Sequence, residues 1–280
     1  MPTPRRKRTN TPSNIALAMD DEPHLTARFE RCREQIECTD PALWIRLSGV
    51  VELIKKKTGV SINMEPGVLI SMLQSERLRY ANLHDLIQAQ LLEKYPREWH
   101  SKRKGIDNIV FGTDGESLVF GALNLGTDGV FSYGPCCVYI HMNMIANVVS
   151  FLERNSFVYF SQNGAAVSVH VPPGTRAVRS TVAHLAVVKH IRDMQQLTDV
   201  SLKCLARVLL TSQGDKFSDE FIEAQIAKSV KSSMFKSVVV SPRFRYGAAA
   251  NGPVARSARL DYELLSAYFP NLQINLGDNS

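Results

Sequence analysis

The sequence predicts an α+β fold, with helices gathered in blocks and short strands between them. Before residue 105, apolar residues recur every three to four positions, which is typical of amphipathic helices. From Gly105 to Pro173, short β-branched and aromatic runs alternate with glycine turns, which is typical of strands. Helical periodicity returns near residue 180, and no internal repeat is present. This order of elements argues against a regular parallel βαβ array.

Residues 1–38 are expected to form a basic, partly disordered N-terminal segment. Residues 1 to about 14 are rich in Pro, Thr, Arg and Asn, and they include the cluster Arg5-Arg6-Lys7-Arg8. A segment of this composition cannot bury enough apolar surface to order itself. The residues from Pro23 to Glu37 predict a short amphipathic helix, whose apolar side carries Leu25, Phe29, Cys32 and Ile36.

Residues 39–104 are expected to form a helical layer. Thr39 or Asp40 can cap a first helix, which ends before Gly59, and whose apolar stripe is Leu43, Leu47, Val50, Val51 and Ile54. A second helix is expected to start at Pro66-Gly67. A third is expected to start at Asn82 with Asp85 and to end at Pro96.

Residues 105–246 are expected to form the core of the fold. The predicted strands are Ile109–Phe111, Ser117–Ala122, Cys137–His141, Phe157–Phe160, Ala165–Val171, Phe221–Ile226 and Val238–Val240. The predicted helices are Met144–Glu153, Ser180–Gln196 and one that Thr198-Asp199 caps and that runs to Leu210. Residues 247–280 are expected to be a linker and a segment that docks on the core through Leu260, Leu264, Leu265 and Phe269.

Composition limits the classes of protein to which the chain can belong. Apolar residues make up 44% of the 280 residues and charged residues 21%, as in ordinary globular proteins. No run approaches the length needed to span a bilayer, and the start of the chain has no apolar signal core, so we expect a cytoplasmic protein without membrane contact. The five cysteines are scattered, and the adjacent Cys136 and Cys137 have no partner pair, so neither disulfides nor a metal site is expected.

The formal net charge of +6 is concentrated in two places. One is the N-terminal cluster described above. The other runs from Lys228 to Arg259 without any Asp or Glu. Such a field attracts a polyanion, whether nucleic acid, a dinucleotide phosphate or an acidic protein. A solvated surface with a flexible tail explains the same pattern equally well.

The stretch Phe221–Ile226 is the most informative part of the chain. In a strand, Glu223 and Gln225 point to the same face. A charged side chain on a buried strand is costly unless that face needs it. Taken alone, the spacing favours an edge strand with one solvated polar face. The alternative is a catalytic carboxylate at the mouth of a cleft.

Polar residues recur at other predicted strand ends, although no Walker loop, GxGxxG or HExxH motif occurs. Asn124 follows one strand, Tyr133-Gly134 precedes the next, and Ser156 begins another. Strand-end residues from separate strands are a common way to line a ligand cleft. Each is weak alone, because turns select the same residue types.

In this order the pieces resemble an uncharacterised bacterial family related to mono-ADP-ribosyltransferase toxins. The resemblance covers about residues 75–245 and rests on Phe120–Asn124, Tyr133-Gly134, Asn155-Ser156 and, most specifically, Ile222–Gln225. It implies a split β-sheet that holds NAD in a cleft, with one glutamate as the key catalytic group.

The resemblance also implies roles for individual residues. Glu223 would be catalytic, Gln225 would face the acceptor, and Ser156 would support Glu223 and the nicotinamide ribose. Tyr133 would border the nicotinamide, and Gly134 and Asn124 would belong to the cofactor site. The relatives carry an early Asn-Gln-Phe-Glu-Thr-like element, whereas residues 77–82 keep only an arginine and an asparagine of it. Arg79 is then expected to contact a phosphate of NAD, or else to be a solvated arginine.

The expected function is a toxin that transfers ADP-ribose from NAD to RNA or protein, with RNA slightly favoured by the basic interval. An antitoxin protein in a toxin–antitoxin or anti-phage system is the partner that the resemblance implies. One alternative is a non-catalytic module that binds nucleic acid or a partner on the same fold. Another is a toxin nuclease, which the charge favours but for which no acid/base pair is recognisable.

Overall fold

The computed structural model describes residues 11–88, 97–156, 171–197, 201–212, 219–241 and 262–276. The predicted strands at 157–160 and 165–171 lie almost wholly outside these ranges, as do the basic cluster at 5–8 and the Thr198-Asp199 cap. The helices are α1 Ser13–Thr39, α2 Pro41–Lys57, α3 Pro66–Gln74, α4 Leu83–Gln88, α5 Arg97–Phe111, α6 Met142–Ile145, α7 Val182–Gln196, α8 Leu202–Leu209 and α9 at 262–268. The strands are β1 Gly59–Met64, β2 Val119–Asn124, β3 Cys136–Ile140, β4 Val149–Leu152, β5 Arg176–Val178, β6 Leu210–Thr211, β7 Glu220–Phe221, β8 Glu223–Ile226, β9 Phe235–Val240 and β10 Gln273–Leu276.

Eight of these strands form one sheet in the order β10-β9-β3-β1-β2-β8-β4-β5. Every pairing in it is antiparallel except that of β10 with β9. Strands β6 and β7 form a separate short ribbon. The α+β class is confirmed, since helices are combined with a mostly antiparallel sheet. Strand β2 joins the two halves of this sheet, because it pairs with β8 through residues 119–122 and with β1 through residues 122–124.

The two faces of the sheet pack against different groups. On one face, α1, α2 and α7 cover the main core, to which Phe151 and Ala224 belong. Neighbouring residues of a strand point to opposite faces. Leu152 therefore points to the other face, where it joins a smaller cluster with Ile106 and Val110 of α5. Helix α5 thus lies over β4 and β8 on the face that Glu223 shares.

Helix α1 is longer than the predicted helix from Pro23 to Glu37, and Ser13 and Asn14 are already helical. Long-range contacts explain the difference. Asp21 accepts hydrogen bonds from the backbone N–H groups of residues 174, 175 and 176, at 2.7 to 2.9 Å. Because these contacts fix the helix on β5, the chain tolerates Pro23 inside it. A local sequence pattern cannot predict such long-range contacts.

Several predicted elements of the helical layer are present. Asp40 accepts a hydrogen bond from the N–H of Leu43 at 2.9 Å and caps α2. Asn82 and Asp85 bond each other's backbone N–H groups at the start of α4. Gly59 does not merely follow a helix, however, because it begins β1, which pairs with both β2 and β3. A central strand of the sheet therefore lies within the predicted helical layer.

Two predictions in the core region are wrong. Residues 109–111 end helix α5 and are not a strand, because Val110 and Phe111 continue its buried side. Residues 149–152 form β4 and are not part of a helix that would span residues 144–153. All four residues of β4 are buried, and such short apolar runs have no periodicity that separates strand from helix. The cap of α8 is Ser201, which accepts from the N–H of Cys204.

The C-terminal segment contacts the core through a strand as well as a helix. Leu264, which was expected to dock, is 50% exposed, and Leu260 lies outside the described residues. Leu265 of α9 is buried in the main core, and Phe269 packs beside it. Strand β10 then adds to the sheet next to β9. No helix in the described ranges is both long and apolar enough to cross a bilayer.

Candidate functional site

Glu223 and Gln225 lie in the interior of the sheet and not at its edge. Strand β8 pairs with β2 on one side and with β4 on the other. Glu223 is 4% exposed and Gln225 is 1% exposed. The interpretation of this stretch as an edge strand with a solvated polar face is therefore wrong. A carboxylate in such a place must be compensated by hydrogen bonds and charge.

The carboxylate of Glu223 is held by two neighbours. Its Oε2 accepts hydrogen bonds from the backbone N–H of Ser156 at 3.0 Å and from the Ser156 hydroxyl at 2.9 Å. Its Oε1 accepts a hydrogen bond from Nε2 of Gln225 at 3.1 Å. The three residues to which the resemblance gives catalytic roles thus lie together, although Ser156 is distant in the chain from the other two.

Gln225 is oriented towards Glu223 and not towards an exposed surface. Its Nε2 also donates to the backbone oxygen of Glu223, and its Oε1 accepts from the hydroxyl of Ser150 at 3.1 Å. Asn14 of α1 donates to the same hydroxyl at 2.8 Å. The amide therefore acts as a brace between Glu223 and the start of α1.

A buried arginine on α5 completes the surroundings of Glu223. Arg103 donates through Nη2 to the hydroxyl of Ser156 at 2.8 Å and through Nε to Asp107 at 2.8 Å. Asp107 also contacts Nε2 of His84 at 2.8 Å. The guanidinium lies 5.4 Å from the ring centre of Phe120, within cation–π range. We call the chain of contacts His84, Asp107, Arg103, Ser156 and Glu223 the Glu223 network.

Burial raises the pKa of Glu223 from its ordinary value of 4.5 to about 7. The positive charge of Arg103 opposes this rise, as do the hydrogen bonds from Ser156 and Gln225. The carboxyl group therefore exchanges its proton near neutral pH. A group with such a pKa can both carry a charge and transfer a proton at physiological pH.

Tyr133 borders the network. Burial raises the pKa of its phenol, and the negative charge of Glu223 raises it further, whereas a hydrogen bond with the Asn155 side chain lowers it. The phenol therefore stays protonated and can donate a hydrogen bond. Tyr133 is half-buried, in contrast to the almost fully buried Ser156 and Glu223.

Gly134 and Asn124 have local structural roles, which are a close backbone approach and the stabilisation of a turn. Gly134 has a φ of 144°, and a Cβ there would lie 2.3 Å from the carbonyl carbon of Met64. The Oδ1 of Asn124 accepts from the N–H groups of Gly126 and Thr127, both at 2.9 Å, and its Nδ2 donates to Ser61. These are the turn and close-approach roles that such residues commonly have at strand ends.

Arg79 lies at the other end of β8. Its exposed guanidinium contacts the hydroxyl of Ser229 at 3.4 Å, and the neighbouring Tyr80 N–H donates to the oxygen of Val230. Ser229 is three residues beyond the last residue of β8, whereas Glu223 is its first residue. Arg79 is therefore not part of the Glu223 network.

Three members of the network, Arg103, Asp107 and His84, were not predicted from the sequence. A local signal exists for the first two, because Arg103 and Asp107 are four positions apart on the side of α5 that carries Ile106 and Val110. Opposite charges within an apolar helix stripe indicate a buried ion pair. The apolar stripe of α5 was not recognised because residues 109–111 were assigned to a strand. His84 carries no comparable signal.

The cysteines lie apart from the network. Cys136 and Cys137 are fully buried in β3, and burial raises the pKa of the Cys137 thiol. All five cysteines are free. In the described part of the chain, no three His, Cys, Asp or Glu residues are grouped so that they could hold a metal ion. The chain matches no protein-family model, and no curated protein is significantly similar to it.

Proposed function

We propose that this protein is a mono-ADP-ribosyltransferase toxin that transfers ADP-ribose from NAD to a macromolecule, with RNA slightly favoured over protein. The observation that carries the proposal is the contact of Ser156 with Glu223, at 2.9 and 3.0 Å. The two residues come from separate motifs of the resemblance, and Ser156 donates its hydrogen bonds to the buried carboxylate of Glu223.

The chemistry calls for such a carboxylate. In the transfer, the bond between nicotinamide and C1′ of the ribose breaks, and nicotinamide leaves with the bonding electrons. A bond from an acceptor oxygen or nitrogen to C1′ replaces it, and the acceptor loses a proton. Ionised Glu223 stabilises the positive charge that develops on the ribose. The pKa of about 7 also suits Glu223 to receive the proton of the acceptor.

We expect the residues around Glu223 to contact part of NAD. From the described residues, Oε1 of Glu223 accepts a single side-chain hydrogen bond, from Gln225, and a carboxylate oxygen has capacity for another. A ribose hydroxyl is a suitable donor. Tyr133 provides a half-buried aromatic ring beside this carboxylate, which suits a nicotinamide ring.

Other residues assigned to the cofactor site fit less well. Asn124 is engaged in its own turn, Gly134 packs against the backbone of Met64, and Arg79 contacts Ser229. The proposal therefore rests on Glu223, Ser156, Gln225 and Tyr133. Arg103 is added to them as a positioning residue, since it donates to Ser156.

The setting of the proposal follows from the resemblance. Such a toxin would act in the bacterial cytoplasm, in a toxin–antitoxin or anti-phage system, and an antitoxin protein would silence it. The basic interval that begins at Lys228 favours RNA as the acceptor.

The test is transfer of label from NAD. Purified protein is incubated with NAD labelled in the adenylate phosphate and with cell lysate, and the products are digested with RNase or with protease. We expect label that RNase removes, and we expect Glu223→Gln to lose about a hundredfold or more of the activity. Glu52→Gln is the control, because the side chain of Glu52 is 72% exposed and pairs with the exposed Lys55. Absence of transfer by the wild-type protein, or equal transfer by Glu223→Gln, contradicts the proposal.

One observation favours a second candidate, the non-catalytic module that binds nucleic acid or a partner. Glu223, Ser156, Arg103 and Asp107 are each at most 4% exposed, as structural polar networks commonly are. In that case Glu223→Gln leaves toxicity and partner binding unchanged, and no label is transferred. The same experiment therefore separates the two functions.

A further inference from the structure

Two segments that are distant in the chain form one basic surface beyond the end of β8. Arg79 contacts Ser229 at 3.4 Å, and the N–H of Tyr80 donates to the oxygen of Val230 at 2.9 Å. These contacts place residues 77–80 beside residues 228–231. Each segment contributes two cations, so that the pairing brings together four, which are Arg77, Arg79, Lys228 and Lys231. We call these four residues the basic surface.

The cations of the basic surface are available to a ligand. Arg77, Arg79 and Lys228 are exposed, and Lys231 is half-buried. The Nζ of Lys228 donates to the backbone oxygen of Met144 at 3.3 Å, which leaves its charge without a carboxylate partner in that contact. Arg79 likewise contacts a neutral hydroxyl. Neither contact neutralises the charge.

Few carboxylates surround these cations. Residues 77–84, 141–152 and 227–241 contain no Asp or Glu, although Glu76 and Asp85 flank the first of these segments. The segment 141–152 belongs to the same region, because Met144 accepts from Lys228 and Val148 accepts from the N–H of Ala227. Cations that two neighbouring segments bring together produce a stronger potential than scattered charges do.

We propose that the basic surface binds the phosphate backbone of single-stranded RNA. Phosphates are commonly held by Arg and Lys together with hydroxyl groups, and the exposed Ser229 and Ser233 supply hydroxyls here. Arg79 is then a contact to a polyanion and not to the cofactor. The basic surface lies beyond the C-terminal end of β8, and Glu223 is at the start of that strand.

This proposal is independent of NAD chemistry. RNA binding is measured without NAD, so a protein that lacks transferase activity can still bind RNA through this surface. If transfer to RNA is also found, the basic surface is where the acceptor docks. The transferase proposal and the RNA-binding proposal can therefore each be disproved independently of the other.

The test is the salt dependence of RNA binding by the full chain. Fluorescence anisotropy follows a labelled oligouridylate about 16 nucleotides long, over a series of salt concentrations. The variant replaces all four residues, as Arg77→Ala, Arg79→Ala, Lys228→Ala and Lys231→Ala. We expect at least about tenfold weaker binding at low salt, and a slope of log K against log salt that is smaller by about 0.7 for each phosphate that the variant no longer neutralises.

Two controls make the result specific. The double variant Lys56→Ala and Lys57→Ala removes exposed charges at the end of α2, and it should bind RNA like the wild type. Exchanging Arg for Lys and Lys for Arg at the four positions keeps the charge and should keep the salt slope. Circular dichroism and thermal melting show that each variant is folded. An unchanged slope in the fourfold Ala variant overturns the proposal, as does equally tight binding of polyglutamate.

Discussion

Ser156 donates two hydrogen bonds to one oxygen of Glu223, from its backbone N–H at 3.0 Å and from its hydroxyl at 2.9 Å. The same hydroxyl accepts a hydrogen bond from Arg103 at 2.8 Å. A hydroxyl can accept and donate at once, so Ser156 links a cation on α5 to a carboxylate on β8. The position of the helix is thereby coupled to the position of the carboxylate.

Replacing Ser156 with Ala should raise the pKa of Glu223 further. The hydroxyl lowers that pKa because it stabilises the ionised form. Its removal should also destabilise the protein by about 1–3 kcal/mol, because Arg103 loses a buried acceptor. Carbon NMR titration of the Glu223 side chain and urea denaturation measure the two effects. Ser150→Ala is the control, since Ser150 bonds Gln225 and not Glu223, and its effect on the Glu223 pKa should be smaller. A lower pKa in Ser156→Ala contradicts the prediction.

Glu223 should make the stability of the fold depend on pH. Its pKa is about 7 in the folded protein and near 4.5 in the unfolded chain. Because folding raises this pKa, Glu223 makes its full contribution to the free energy of unfolding below pH 4.5. That contribution is lost as the pH rises to 7. The loss is on the order of 3 kcal/mol at the usual 1.36 kcal/mol for each unit.

The measurement compares urea denaturation of the wild type with that of Glu223→Gln across this pH range. We expect the wild type to lose stability relative to Glu223→Gln as the pH rises, because the amide does not titrate. Glu52→Gln, in which an exposed carboxylate is removed from an exposed ion pair with Lys55, should follow the wild type. A constant difference between wild type and Glu223→Gln over the range would show that burial does not raise this pKa.

The elements that were predicted well from the sequence are those with local signals. The Asp40 cap and the stripe of α2 lie within one stretch of the chain, as does the pair of Asn82 and Asp85. The strand β1 was missed because Gly59 is equally suitable as the end of a helix and as the start of a strand. Strand β4 was missed because it is buried on both faces and shows no alternation.

The candidate site was predictable only in part, for a similar reason. The expected resemblance grouped Ser156 with Glu223, and the fold places them in contact although 67 positions separate them. Arg103 belongs to no motif, and it reaches Ser156 over 53 positions because α5 lies on the face of the sheet that Glu223 shares. Only the packing of α5 against β4 reveals this contact. Arg79 is the opposite case, since the fold places it with Ser229 and away from Glu223.

Gly134 should resist any substitution for structural reasons. Its φ of 144° disfavours side chains, and a Cβ would lie 2.3 Å from the carbonyl carbon of Met64. We expect Gly134→Ala to destabilise the protein by at least about 2 kcal/mol, measured by urea denaturation. Gly49→Ala is the matched control, because nothing lies within 4 Å of a Cβ at that position in α2. It should stabilise the protein by about 0.5–1 kcal/mol. Equal effects of the two substitutions would contradict the geometry.

Arg103 should be the most sensitive residue of the Glu223 network. Replacing it with Met takes the guanidinium away from Asp107, which is 0% exposed and keeps its contact with His84, and it removes a donor from Ser156. Breaking one side of a buried ion pair costs about 3–5 kcal/mol. We therefore expect Arg103→Met to lose about that much in urea denaturation. The neighbouring Lys104→Met removes an exposed pair with Glu116, and it should cost less than about 1 kcal/mol.

A double-mutant cycle separates the cost of the missing partner from the value of the pair. If most of the penalty in Arg103→Met comes from the stranded charge of Asp107, then adding Asp107→Leu should restore part of the stability. The double variant should still raise the pKa of Glu223, because the positive charge that opposes burial is absent in both variants. Stability and pKa are thus expected to respond differently to the second substitution. If the double variant is as unstable as the sum of the two single variants, Arg103 and Asp107 act independently, and the buried pair is not what holds α5 over Glu223.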